Sequence, residues 1–131
     1  MLKVWIISAS AKGFIQMALS DRFNSIGGEP VSLPADLTAL QNETDIPDSV
    51  VLFADDAILE KPEVLTYVRD LVLKEGLSIF MLGEKVAMIR IMSCIDKSLI
   101  KGLFLHPVDV KEVVKTVDAY VALCGPRINR P

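Results

Sequence analysis

The chain has 131 residues, 51% of them hydrophobic, with 14 basic against 17 acidic side chains and a formal net charge of −3. That length suits one domain with a real core, and the scattered basic residues, with no cluster interleaved with aromatics, speak against direct nucleic-acid binding. No apolar run reaches the roughly 18 uncharged residues of a membrane span, the chain opens directly on a strand pattern, and Cys94 and Cys124 lack CxxC spacing, so a cytoplasmic protein with reduced thiols and no membrane contact is expected.

Leu2 to Ser8 is β-branched and aromatic and predicts a first strand. Ser8-Ala9-Ser10-Ala11-Lys12-Gly13 makes the turn, and Ile15, Ala18, Leu19, Phe23 and Ile26 space one apolar helical stripe behind it. Gly27-Gly28 stops that helix. Glu29 to Leu33 is a short second strand. The polar stretch from Pro34 to Asp48 leaves room only for a short or irregular helix near residues 35–41. Ser49 to Ala54 is the central strand and ends at Asp55-Asp56. Pro62 opens a helix with Val64, Leu65, Val68, Leu71 and Val72 inward and Arg69, Asp70, Lys74 and Glu75 outward, and Gly76 ends it. Leu77 to Leu82 is the fourth strand, leaving at Gly83. A fourth helix is predicted over 86–95 and a fifth strand over 103–105. Asp109 and Glu112 form a capping box for a last helix striped by Val110, Val113, Val114, Val117 and Val121. Residues 1–124 are thus one domain, and 125–131 a tail or linker after Gly125-Pro126.

Five β–α units in alternation argue for an open, doubly wound α/β fold, a five-stranded parallel sheet sandwiched between two helical layers. Ligands of such sheets sit beyond the carboxyl ends of the strands. The candidate pocket is therefore made of Ser8, Ser10, Asp55, Asp56, Gly83, Glu84, His106 and Pro107.

Two segments resemble the response-regulator receiver (CheY-like) family. Val50-Val51-Leu52-Phe53-Ala54-Asp55 is an apolar strand running into an aspartate, and Gly102-Leu103-Phe104-Leu105-His106-Pro107 is similar to the family's strand ending in Lys-Pro. The intervals also agree: 28 residues from Asp55 to Gly83 and 23 from Gly83 to His106. The resemblance implies the flavodoxin-like (βα)5 fold, a place in two-component signalling, and Asp55 as the candidate phosphoacceptor.

Three departures alter the chemistry that the resemblance implies. Receivers carry two carboxylates after the first strand to help hold Mg²⁺, a cation that wants hard oxygen ligands, whereas residues 8–12 read Ser-Ala-Ser-Ala-Lys. The hydroxyl position after the fourth strand is Gly83, and Glu84 beside it repels phosphate. The lysine position is His106. Charge crowded around a transferring phosphoryl group needs neutralising cations, and this set is poor in them. The expectation is a degenerate receiver, not an enzyme, with no cofactor, acting independently of phosphorylation through a protein partner, a downstream output domain or a homodimer. Its rivals are a phosphorylatable receiver holding Mg²⁺ through Asp55, Asp56 and Glu84, and a flavodoxin-like module for a small ligand or nucleotide.

Each candidate also has a plainer reading. Asp55 and Asp56 serve equally as punctuation that caps the next loop. His106 is either a pH- or anion-responsive group, paired with Asp55, or a packed turn residue. The Ser8–Gly13 turn lacks a glycine fingerprint for nucleotides. The fourth helix has more apolar residues than one stripe needs, so Met88, Ile91, Met92 and Ile95, with Phe104 of the fifth strand, are expected to form a contact surface. The rival reading is a deeply covered helix.

Overall fold

Alternate residues of the central strands go to opposite sides of one sheet in the computed structural model, which describes residues 2–9 and 13–124. The strands are β1 (Lys3–Ser8), β2 (Glu29–Pro34), β3 (Ser49–Ala54), β4 (Ser78–Gly83) and β5 (Ile100–Leu105). They are all parallel, in the order β2-β1-β3-β4-β5. Val4, Ile6, Val51, Phe80 and Leu82 face one helical layer; Trp5, Ile7, Val50, Leu52, Ile79 and Met81 face the other. Burial on both faces explains why these strands read as continuous apolar runs.

The first layer is α1 (Gly13–Ser25) with α6 (Val110–Cys124), and the second holds α2 (Leu37–Asn42), α3 (Asp56–Leu59), α4 (Pro62–Glu75) and α5 (Lys85–Ile91). In the first layer Leu19 and Phe23 pack with Val113, Val114, Val117 and Val121, while the Phe80 and Tyr120 rings meet edge to face at 5.8 Å. Asp109 caps α6, its Oδ1 accepting from the N–H groups of Lys111 and Glu112 at 3.0 and 3.3 Å. α4 starts on Pro62 and stops at Gly76, whose left-handed φ of 68° suits a residue without a Cβ. Among the described residues no helix is long and apolar enough to cross a membrane. The stretch 125–131 lies outside the described residues.

Several expectations need correcting. Ala18 and Ile26 are exposed: Ile26 lies past the end of α1, and only Leu19 and Phe23 point fully inward. Leu71 is half-buried at the margin of the α4 stripe, and Arg69 and Glu75 are half-buried too. The weak second helix does exist, because the Asp36 side chain accepts from the Ala39 N–H at 3.1 Å and starts it. α5 is shorter than expected and ends at Ile91, so Cys94 lies beyond it in a turn; β5 begins earlier, at Ile100. The single-turn α3 stands where the sequence pattern shows only the exit from the central strand, and the Asp55 side chain starts it.

Candidate functional site

The carboxyl tips of β3, β4 and β5 are aligned by register, Ala54 opposite Gly83 and Gly83 opposite Leu105. Backbone bonds tie them together: the Glu84 N–H donates to the Ala54 carbonyl at 3.0 Å and the His106 N–H to the Gly83 carbonyl at 3.1 Å. Asp55, Glu84 and His106 therefore leave three adjacent strands at the same level. Ser8 ends β1 and is buried, with its carbonyl accepting from the Ala35 N–H at 3.0 Å. Strand order reverses between β1 and β3, where the crevice of an open sheet forms. Ser10 is outside the described residues.

Asp55 is the N-cap of α3. Its backbone is extended and its Oδ1 accepts from the Ile58 N–H at 3.0 Å. A carboxylate so placed satisfies one orphan donor of the helix start. Asp56, the first residue of α3, is exposed, and Glu84 is exposed at the start of α5 without capping it through its side chain.

Gly83 has a stricter role than the loss of a hydroxyl. Its φ is 137°, and a Cβ there would lie 2.3 Å from the Ala54 carbonyl oxygen. No larger residue fits without moving the backbone. His106 and Pro107, joined by a cis peptide, are both exposed. The expected pair does not form: the ion pairs among described residues are Lys3–Glu29, Lys3–Asp45 and Arg69–Asp70. Nor is the His106 side chain packed, since only its backbone is tied down.

Magnesium is the group that the resemblance implies, and the donor set does not fit it. Residues 8–12 contain no carboxylate, and among the described residues no cluster of three or more His, Cys, Asp or Glu side chains is placed to hold a metal.

The residues expected to form a contact surface are mostly covered. Met88, Ile91 and Ile95 are core residues, 2%, 0% and 1% exposed, because they form the face of α5 and its following turn that packs on the sheet. Met92 and Phe104 are half-buried. The apolar surface lies one face round: Val86, Ile89, Leu103 and Leu105 are each about half exposed or more. A groove of about 210 Å³ runs between α5 and β5, lined by Lys85, Met88, Ile89, Met92, Leu103 and Leu105. Cys94 and Cys124 are free and exposed.

With this geometry in hand, the fold can be named: it is the flavodoxin-like fold of response-regulator receiver domains. The receiver domain of Francisella response regulator 1452 is similar over 95% of this chain and 100% of its own, with a TM-score of 0.69 at 13% identity. Chemotaxis protein CheY4 of Vibrio cholerae is similar over 91% of this chain and 98% of its own, with a TM-score of 0.68 at 16% identity. NtrX from Brucella abortus matches over 93% of this chain but only 27% of its own length, with a TM-score of 0.67 at 11% identity. Identities this low establish the fold alone. No protein-family model and no curated protein sequence matches the chain.

Proposed function

We propose that this chain is a receiver-like signalling module of a two-component response regulator that works without aspartyl phosphorylation. It is not an enzyme, needs no cofactor, and acts by contact with a protein partner or an output domain. The observation behind this reading is the use of Asp55: its carboxylate oxygen is spent on the Ile58 N–H as a helix cap. Around it stand Gly83, which has no room for a hydroxyl-bearing side chain, and His106 in place of a fixed ammonium. Residues 8–12 add no carboxylate that would help hold a divalent cation beside a phosphoryl group on Asp55, and transfer of that group needs such a cation. A receiver switches when a ligand or modification biases two states; here partner binding supplies that bias.

Incubation with acetyl phosphate and Mg²⁺, followed by intact-mass measurement, tests the reading. No adduct is expected. A stoichiometric phosphoryl adduct on Asp55 would overturn it in favour of a phosphorylatable receiver using Asp55, Asp56 and Glu84. A rise in melting temperature with a nucleotide or flavin would instead support a small-ligand module.

A further inference from the structure

We draw no further inference here: the strongest candidate, the exposed apolar face of α1 at Phe14 and Met17 with the groove of about 250 Å³ that Met17 lines together with Ser32 of β2, carries nothing because nothing in the structure shows what covers it.

Discussion

Gly83 and Ala54 meet backbone to backbone at the tips of β4 and β3. A Cβ on Gly83 would stand 2.3 Å from the Ala54 carbonyl oxygen, the same oxygen that accepts the Glu84 N–H at 3.0 Å. The contact fixes how β4 turns into α5 and leaves no room at this strand tip for a hydroxyl-bearing side chain.

Gly83→Ala should therefore destabilise the fold by about 2–4 kcal/mol, the sum of an unfavourable positive φ and an overpacked contact. Urea unfolding should show a lower midpoint with an unchanged slope. A midpoint within error of the wild type would show that the strand tips give way easily.

The capping role of Asp55 separates two substitutions. Asp55→Asn keeps an oxygen for the Ile58 N–H and is expected to stay within about 0.5 kcal/mol of the wild type, whereas Asp55→Ala should lose about 1 kcal/mol. Chemical denaturation of both variants checks the difference. Equal losses would mean that the negative charge of Asp55, and not its cap, is what the fold uses.

At the opposite end of the sheet, Ser49 and Ser78 are buried and share a hydrogen bond of 2.9 Å between hydroxyls, with Ser49 Oγ also donating to the Ser78 carbonyl at 3.2 Å. Ser49→Ala strands the Ser78 hydroxyl and should cost about 1–3 kcal/mol. The double variant Ser49→Ala/Ser78→Ala should cost less than the sum of the two single ones. Strict additivity in the double-mutant cycle would refute the pairing.

Asp96 predicts a pH dependence. The backbone N–H of Ser98, at 2.9 Å from its Oδ1, holds the Asp96 carboxyl below the usual aspartate value, helped by the Ser98 hydroxyl and by Lys97. A lowered folded pKa means that the charged form stabilises above the unfolded value, and that this advantage fades as the pH drops through the folded one. The wild type should exceed Asp96→Asn in stability at neutral pH, and the gap should close as the pH falls below the ordinary aspartate range. Denaturation midpoints of the two proteins across that range measure it; a gap that widens on acidification would contradict the assignment.

Much of the architecture was legible in the chain. β-branched runs such as Ser49–Ala54 cannot form a two-faced surface helix, and their alternation with stripes such as Val113, Val114, Val117 and Val121 specifies a parallel sheet between helical layers. The resemblance of Asp55 and His106-Pro107 to receiver positions located the strand tips. Periodicity could not reveal that Met88, Ile91 and Ile95 turn inward. In a helix apolar on several sides, hydropathy does not say which side meets the sheet, and packing on Ile79 and Met81 decides it.

What the amino-acid order determined alone is the set of elements, and the scarcity of carboxylates after β1, since these rest on local propensity and residue identity. Tertiary structure decided which groups are spent and which are offered. Asp55 is bound to a helix start that exists only once α3 packs, Gly83 is compulsory only because β3 lies against it, and Leu103 and Leu105 are an open edge only because strand order leaves β5 last. Each depends on neighbours distant in sequence, and no local pattern encodes a distance between strands.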